Sequence, residues 1–324
     1  MPELPEVEVV RRGLAGHMLG ARLTSVEVLD PRALKRHALG PDHFRDALLG
    51  RTVTEVARRG KFLWMNFADG GDALVVHLGM SGQLRVYGPE RGEESDSSGV
   101  FGAAVPSAPG AGARAAHEGP ASDPLRHLRL RMRLADGTRL HFLDQRLFGG
   151  MHLAPLVDTP DALPAGMGSV APLLPATASH IARDLLDPHL DRAAVSARIR
   201  RRHAPIKNLI LAQDVVSGIG NIYADEALWA ARVHYQSPGS DLSARRVSTL
   251  LDAASSVMQR ALAVGGTSFD ALYVNVDGRS GYFARSLSAY GQEGEPCERC
   301  GRPIKRAKFM NRSSYFCPRC QKRA

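Results

Sequence analysis

The chain has 324 residues, of which 44% are hydrophobic and 23% are charged. These values are ordinary for a globular protein, and the length suits about two domains, so fibrous, disulfide-scaffold and wholly disordered classes are excluded. No apolar stretch approaches the roughly 20 residues of a membrane-spanning helix, and the first residues carry acid where a secretory signal carries base. We therefore expect a cytoplasmic protein with no membrane partner.

The net charge of +9 is unevenly distributed. Residues 88–124 contain six acidic residues and two arginines, whereas residues 291–324 contain nine lysines and arginines and three glutamates. The rest of the chain is therefore more basic than the total indicates. A basic surface suits a polyanion such as nucleic acid, but basic residues also serve solubility, so the charge leaves both interpretations open.

The N-terminal part predicts one helix followed by strands. Pro5 and Glu6 suit the first turn of a helix, and Val7, Val10 and Leu14 give it one apolar face. Short strand-like runs rich in β-branched and aromatic residues come after this helix. They lie near residues 52–57, 61–67 and 73–78.

Residues 88–124 interrupt this pattern, since 25 of these 37 residues are Gly, Ala, Ser or Pro. So little apolar side chain cannot offset the entropy of ordering, and we predict a flexible insertion. After it, apolar residues from Leu128 to Leu134 alternate with arginines, and Asp136-Gly137 leads into a second alternating run through Phe142. This pattern predicts a β-hairpin with one buried face and one basic face.

Beyond about residue 155 the apolar period becomes helical. It is clearest over residues 243–264, where Ser243 suits the helix cap and Gly265 suits the end. The pattern therefore predicts a β-rich N-terminal domain, a helical domain and a small terminal segment. Their expected ranges are residues 1–153, 160–288 and 290–324.

All four cysteines lie in the terminal segment, as two C-x2-C pairs with sixteen residues between them: Cys297, Cys300, Cys317 and Cys320. Two tight turns of this kind present four thiolates to one tetrahedral zinc ion. Two disulfides are the alternative, but a cytoplasmic setting and the absence of other cysteines argue against them. Four thiolates leave no position for water, so we expect a structural Zn²⁺ on which the fold of this segment depends.

Six short motifs along the chain carry a family resemblance. They are Pro2-Glu3-Leu4-Pro5-Glu6-Val7-Glu8, Arg59-Gly60-Lys61-Phe62, His77-Leu78-Gly79-Met80-Ser81-Gly82, Asp144-x-Arg146-x-Phe148-Gly149, Gly218-Ile219-Gly220-Asn221-Ile222-Tyr223-Ala224, and Arg312 before Cys317-Pro318-x-Cys320-Gln321. In these motifs and in their order the chain resembles the formamidopyrimidine-DNA glycosylases. The resemblance covers nearly the whole chain apart from the 88–124 insertion.

The resemblance implies an α+β multidomain fold. It consists of an N-terminal β-sandwich with an N-terminal helix, a helical domain carrying the helix–two-turns–helix motif, and a zinc-ribbon finger. The implied partner is damaged double-stranded DNA, bound by a monomer in the basic cleft between the domains. The implied cofactor is one structural Zn²⁺, and the implied location is the cytoplasm in association with the nucleoid.

The implied activity is that of a bifunctional DNA glycosylase and abasic-site lyase of base excision repair. Such an enzyme excises oxidised purines (8-oxoguanine and formamidopyrimidines) and then nicks the strand by β,δ-elimination. One alternative is an endonuclease VIII-like glycosylase for oxidised pyrimidines, disfavoured because that group usually carries Gly where this chain has Leu4. A second alternative is a non-catalytic zinc-ribbon protein that binds DNA, disfavoured by the intact catalytic positions.

The resemblance implies four catalytic residues: Pro2, Glu3, Lys61 and Arg312. Removal of Met1 would leave Pro2 with a secondary amine, and an α-amine has a pKa of about 7.7–8.0, far below the roughly 10.4 of lysine. Such an amine can attack C1′ of a nucleoside and hold the opened sugar as an iminium. Glu3 resembles the general acid of the family, and the Lys61 and Arg312 side chains are implied to bind phosphate and assist elimination.

Seven further residues are implied to contact DNA: Met80, His127, Arg146, Phe148, His203, Lys207 and Asn221. The turn before the helix at Asn221 offers free backbone amides to a phosphate, with Lys207 in support. Met80, Arg146 and Phe148 are expected to fill the space left by an extruded nucleotide, although spacing alone would place Met80 and Phe148 in the core.

Two positions depart from the usual family pattern. The chain has His127-Leu128-Arg129 where the family often has His-Asp-His, and His203 where it often has Lys. A phosphate contact by His203 is weakened, because neutral imidazole lacks a fixed charge. Residues 268–282 correspond to the loop that closes over the extruded base in this family.

Overall fold

The computed structural model describes residues 2–89, 125–266, 276 and 283–323. The predicted insertion lies outside the described residues from residue 90 onward, and so does the predicted closing loop 268–282 apart from Val276. None of the helices in the described ranges is long and apolar enough to cross a membrane.

Six α-helices and twelve β-strands occur in the described part of the chain. The helices are α1 Leu4–Met18, α2 Gly40–Leu48, α3 Arg192–Arg200, α4 Ile206–Leu211, α5 Asn221–Ala230 and α6 Ala244–Ala263. The strands are β1 Leu23–Val28, β2 Val53–Arg59, β3 Phe62–Phe67, β4 Ala73–His77, β5 Gly82–Tyr87, β6 Leu128–Leu134, β7 Arg139–Asp144, β8 Gly150–Ala154, β9 Leu156–Asp158, β10 Leu173–Pro175, β11 Lys305–Phe309 and β12 Arg312–Phe316.

Two four-stranded antiparallel sheets form the N-terminal part, in the strand orders β1-β6-β7-β5 and β2-β3-β4-β8. Their inner faces share one apolar core with α1, to which Val10, Leu63 and Phe142 belong. The strands predicted before and after the insertion are confirmed as β2, β3, β4, β6 and β7. In β6 the alternation buries Leu130 and Met132 and leaves the arginines on the opposite face.

The stretch from residue 155 to residue 191 corrects the expectation of helix. It contains the short strands β9 and β10, and the first helix after it begins only at Arg192. Proline removes a backbone donor and clashes with the preceding helical turn, so a proline-rich segment does not form a helix. The prolines of this segment are Pro155, Pro160, Pro164, Pro172, Pro175 and Pro188.

The helices α3 to α6 surround a second apolar core, to which Tyr223, Leu250 and Met258 belong. The helix predicted over residues 243–264 is confirmed as α6, with the Ser243 hydroxyl accepting a hydrogen bond from the Arg246 amide. Leu4 belongs to this second core although it begins α1. The N-terminal segment therefore lies at the junction of the two domains.

The terminal segment is a two-stranded finger. Strands β11 and β12 pair in antiparallel register, with Lys308 opposite Ser313. A small core that contains Trp229, Ile304 and the buried Cys297 and Cys317 attaches the cysteine end of this finger to the end of α5. The fold is therefore the α+β arrangement that the sequence predicts, with three packed parts and the N-terminal segment between two of them.

Candidate active site at the domain junction

The N-terminal segment is anchored on the turn that precedes α5. The Leu4 amide donates a hydrogen bond to the Gly218 carbonyl at 3.1 Å. The Glu3 carboxylate accepts hydrogen bonds from the amides of Gly220 at 2.7 Å and Ile222 at 3.0 Å. This corrects the expectation that these amides are free for a phosphate, because Glu3 is the anion that the N-terminus of α5 binds.

Two glycines make this close approach possible. A Cβ at Gly220 would lie 2.1 Å from the carboxyl carbon of Glu3, and a Cβ at Gly218 would lie 2.4 Å from a methyl group of Leu4. Gly218 also has a φ of +89°, which side-chain-bearing residues rarely adopt. The glycines therefore serve the docking of the N-terminal segment.

Burial dominates the electrostatics around Glu3. It raises the pKa of the Glu3 carboxyl, and the neighbouring Glu6 raises it further, while Lys61 and the amides at the start of α5 oppose the change. Burial also lowers the pKa of the Lys61 amine, with Arg312 acting in the same direction. A carboxyl that holds its proton more tightly and an amine that releases its proton more easily are suited to proton transfer.

Glu6 completes the local arrangement of α1. Its carboxylate accepts hydrogen bonds from the Glu3 amide at 2.8 Å and from the Tyr223 hydroxyl at 2.6 Å. Pro2 is buried beside Glu3, and the Lys61 amine donates to the Ile219 carbonyl at 3.0 Å. Pro2, Glu3 and Lys61 are therefore brought together around the start of α5.

A buried ion-pair network holds Lys61 in this position. Arg58 is fully buried and pairs with Glu8 of α1 at 2.9 Å and with Asp184 at 2.7 Å. The Asp184 carboxylate also accepts a hydrogen bond from the Gly60 amide at 3.0 Å. The turn that carries Lys61 is thereby tied to α1 and to the segment before α3.

Lys207 lies elsewhere than expected. Its side chain is fully buried, and the ammonium lies 2.7 Å from the Asp225 carboxylate. It also donates to the Ser314 hydroxyl at 2.8 Å and to the Ser313 carbonyl at 3.0 Å. One ion pair and two hydrogen bonds inside the protein thus hold this ammonium, so its placement does not support Lys207 as a residue that contacts phosphate.

Hydrogen bonds from the Asn221 and Lys207 side chains hold the finger at the start of α5. The Asn221 amide group donates to the Ser313 carbonyl at 3.0 Å, beside the Lys207 contact to the same oxygen. Arg312 precedes Ser313 and is exposed. The positive charge of Arg312 acts on Lys61, because it adds to the lowering of the pKa of the Lys61 amine.

Two loops at one end of the sandwich present the residues expected to replace an extruded nucleotide. Met80 and Phe148 are 43% and 46% exposed, which excludes the alternative that they are core residues. The Asp144 carboxylate joins their loops, because it accepts hydrogen bonds from the Ser81 hydroxyl at 2.5 Å and the Gly149 amide at 2.7 Å.

Arg146 belongs to the same surface, with its guanidinium 5.1 Å from the centre of the Phe148 ring. The His127 carbonyl accepts a hydrogen bond from the Asp144 amide at 2.9 Å, which places His127 at this end of the sheet. His203 lies apart from this surface, exposed in the turn between α3 and α4, with its ring nitrogen 3.0 Å from the Ser240 hydroxyl.

The four cysteines form the zinc site. Their sulfur atoms all lie within 4.8 Å of one another, and those of Cys300 and Cys317 are 3.5 Å apart. Zinc–sulfur bonds of about 2.3 Å in a tetrahedron bring sulfurs to a similar separation, whereas a disulfide bond is only about 2.05 Å long. The donor set therefore fits one Zn²⁺, and the disulfide alternative is wrong.

Family models match all three parts of the chain. The formamidopyrimidine-DNA glycosylase N-terminal domain matches residues 1–151, and the formamidopyrimidine-DNA glycosylase H2TH domain matches residues 181–272. A zinc finger found in FPG and IleRS matches residues 294–323. The chain belongs to the formamidopyrimidine-DNA glycosylase family.

Relatives and solved structures agree with this assignment. A formamidopyrimidine-DNA glycosylase of Mycolicibacterium gilvum is 52% identical over 323 residues, covering 100% of this chain and 99% of the relative. One of Rhodococcus jostii is 50% identical and covers 99% and 96%. The Lactococcus lactis glycosylase bound to abasic-site DNA has 29% identity and a TM-score of 0.73, covering 99% of this chain and 100% of that one.

A structure of MutM with DNA containing carbocyclic 8-oxo-G gives the same identity, TM-score and coverage. This formamidopyrimidine-DNA glycosylase family member is therefore a DNA repair glycosylase with a zinc finger. Among its described residues, sequence reasoning missed Arg58, Asp144 and Asp184 as residues that position the site. Asp144 occurs in one of the motifs, but the motif alone assigns it no role. Arg58 could have been found from the sequence, because it is a charged residue at an inward-facing position of a strand.

Proposed function

We propose that this protein excises oxidised purines (8-oxoguanine and formamidopyrimidines) from double-stranded DNA and then cleaves the strand at the abasic site by β,δ-elimination. The observation that carries the proposal is the group of Pro2, Glu3 and Lys61 at the start of α5, in which Pro2 and Glu3 are buried and Lys61 is half-buried. A zinc-ribbon protein that only binds DNA does not need a carboxyl with a raised pKa next to Pro2, the residue that removal of Met1 would make N-terminal. The group is therefore better suited to catalysis than to DNA binding alone.

The first step uses the amine that removal of Met1 would expose on Pro2. Its nitrogen forms a bond to C1′ while the bond between C1′ and the damaged base breaks, and the base leaves with the electron pair of that bond. The proton that the Pro2 amine loses on forming this bond balances the proton that the departing base takes up, and Glu3 then donates a proton to O4′ as the C1′–O4′ bond of the sugar ring breaks. The product is an iminium between Pro2 and the opened sugar, with its positive charge on the former amine nitrogen.

Strand cleavage follows from this iminium. Loss of a proton from C2′ breaks the C3′–O bond and expels the 3′ phosphate, and loss of a proton from C4′ then breaks the C5′–O bond and expels the 5′ phosphate. The Lys61 amine, whose pKa is lowered by burial, is suited to accept a proton, and the exposed Arg312 guanidinium is suited to bind phosphate. All of these groups come from one chain, so we propose a monomer as the active unit.

Borohydride trapping tests the proposal. A duplex with a single 8-oxoguanine is incubated with the protein and sodium borohydride, and intact-mass measurement follows both the adduct and the N-terminus. We expect a covalent adduct with protein that begins at Pro2, because the reductant converts the iminium into a stable amine. Protein extended by one residue before Pro2 is expected to give no adduct, since its proline nitrogen is an amide.

The matched control is Pro5→Ala, which alters a proline of the same segment and leaves the terminal amine intact. We expect it to retain most of the trapping. Efficient trapping by the extended protein would contradict the assignment of Pro2, and the absence of any adduct with correctly processed protein would favour a protein that only binds DNA.

A further inference from the structure

A surface cavity of about 590 Å³ lies between the zinc site and the end of α5. Two zinc-binding residues, Cys300 and Cys320, form part of its wall. The other lining residues are all cationic, and they come from α6, from the turn after α5 and from the finger: Arg232, Arg246, Arg299, Arg319 and Lys322.

Backbone contacts hold two of these arginines in place. The Arg299 guanidinium donates to the carbonyls of Trp229 at 2.6 Å and Ala230 at 3.1 Å, and it lies 3.8 Å above the Trp229 ring. The Arg246 guanidinium donates to the Arg232 carbonyl at 3.1 Å. These two side chains are therefore already ordered beside the cavity, and binding of an anion costs little further ordering of them.

The charge of this cavity is not balanced by neighbouring acids. Within the described ranges, none of the five cationic side chains forms an ion pair with Asp or Glu, although many other arginines of the chain do. A filled site of four thiolates and one Zn²⁺ has a net charge of −2, which leaves an excess of positive charge. Clustered like charges repel one another, so a bound anion would stabilise the cavity.

The cavity lies far from the proposed active site. Helix α5 starts at Asn221 in that site and ends at Ala230 beside the cavity, and ten helical residues span about 15 Å. The finger is oriented in the same way as α5. Arg312 lies near the turn of its hairpin, and Cys317 and Cys320 follow the other end of β12. Both elements therefore place the cavity at the end opposite the residues proposed to hold DNA.

We propose that this cavity binds an acidic peptide segment of a partner protein. Arginine presents a planar pair of donors that matches a carboxylate, and the cavity volume lies in the range of ligand pockets. A DNA duplex presents its phosphates along an extended rod, with one charge per about 1.7 Å of axis, which suits a long groove. A short concave basic surface is better matched by a few consecutive carboxylates.

Fluorescence polarisation tests this proposal on the zinc-loaded, full-length protein. The probe is a labelled ten-residue peptide of alternating Asp and Glu, and the charge-reversal variants are Lys322→Glu and Arg246→Glu. The matched control is Arg133→Glu, which reverses an exposed charge on β6 of the other domain. We expect each cavity variant to weaken peptide binding by at least about fivefold and the control to leave it unchanged.

Excision of 8-oxoguanine and zinc content are measured on the same variants and are expected to be unchanged, because neither residue belongs to the active site or the cysteine set. Lys322 is exposed near the chain end, so Lys322→Glu keeps the test valid even if Arg246→Glu disturbs α6. Three outcomes overturn the proposal: no saturable peptide binding, equal weakening by all three variants, or displacement of the peptide by one equivalent of lesion-bearing duplex. The last outcome would assign the cavity to DNA.

Discussion

The Glu3 carboxylate accepts a hydrogen bond from the Gly220 amide at 2.7 Å, across 217 residues of sequence. This contact joins the residue after Pro2 to the residue before α5, so the two domains together build the proposed catalytic group. The amides of the helix stabilise the ionised form of Glu3, while burial favours its protonated form. The orientation and the proton affinity of Glu3 therefore both depend on the helical domain.

Gly220→Ala should displace this carboxylate. The added Cβ would lie 2.1 Å from the carboxyl carbon of Glu3, and one of the two must move. We expect excision of 8-oxoguanine in single-turnover assays to fall by about 10²-fold, since a shift of about 1 Å at a catalytic group has effects of that size. Gly16→Ala is the control, because a Cβ there meets nothing within 4 Å. A Gly220→Ala variant with full activity would show that Glu3 needs no support from this turn.

Lys207→Met should destabilise the protein and not merely weaken DNA binding. The substitution leaves the buried Asp225 carboxylate without its partner, and breaking such a pair costs about 3–5 kcal/mol. Burial already raises the pKa of Asp225 to about 7 beside Lys207. Urea unfolding measures the loss, and the double variant Lys207→Met/Asp225→Leu is expected to recover part of it.

An effect of Lys207→Met on DNA binding without an effect on stability would contradict the prediction. A lysine that contacts phosphate contributes about one counterion to the salt dependence of DNA binding. Lys207→Met with unchanged stability and a salt slope reduced by about one would therefore restore Lys207 as a DNA-binding residue and contradict its placement in the buried pair.

Arg146→Ala and Phe148→Ala should impair excision from a duplex more than cleavage at an abasic site in single-stranded DNA. Extrusion of a base costs about a few kcal/mol, and side chains that fill the vacated space offset this cost only in a duplex. Val170→Ala is the control, since Val170 is an apolar side chain that is 84% exposed on another loop. Equal losses on both substrates would indicate disturbed folding or a direct chemical role.

The protein should lose stability as the pH falls from about 6.5 towards 4. The His152 side chain is 3% exposed, and burial lowers the pKa of its ring to about 4 in the folded protein. In the unfolded chain the ring has its ordinary pKa of 6.5. The stability that the neutral His152 ring contributes is therefore complete above pH 6.5. It is lost as the pH falls towards 4, because the unfolded state binds a proton that the folded state does not. His77 and His141 have pKa values lowered to about 4 as well.

Urea unfolding at pH 7 and pH 5 measures this effect. The loss of stability between these two pH values should be smaller by roughly 1–2 kcal/mol in His152→Gln than in the wild type. His189→Gln, at an exposed position, is the control and should keep the wild-type difference. An unchanged pH dependence in His152→Gln would show that this ring accepts a proton in the folded state without cost.

Elements with strong local signals could be predicted from the amino-acid sequence alone. The alternation around Asp136-Gly137 predicted the β6–β7 hairpin, the apolar period after Ser243 predicted α6, and two closely spaced cysteine pairs predicted the zinc site. Each of these depends on residues near one another in the chain, so periodicity and spacing are sufficient. Exposure of Met80 and Phe148 required the structure, because an apolar residue after a strand suits the core equally well.

The partners of the buried charged residues could not be predicted from the sequence and follow from the packing of the domains. Glycines before a helix predicted amides for a phosphate, yet Glu3 from the other end of the chain binds them. Lys207 was expected beside a phosphate bound at that turn, yet Asp225 and the finger bury it. A buried charge needs hydrogen-bond partners or an opposite charge beside it, and the docking of domains, which no local pattern records, decides which groups supply them.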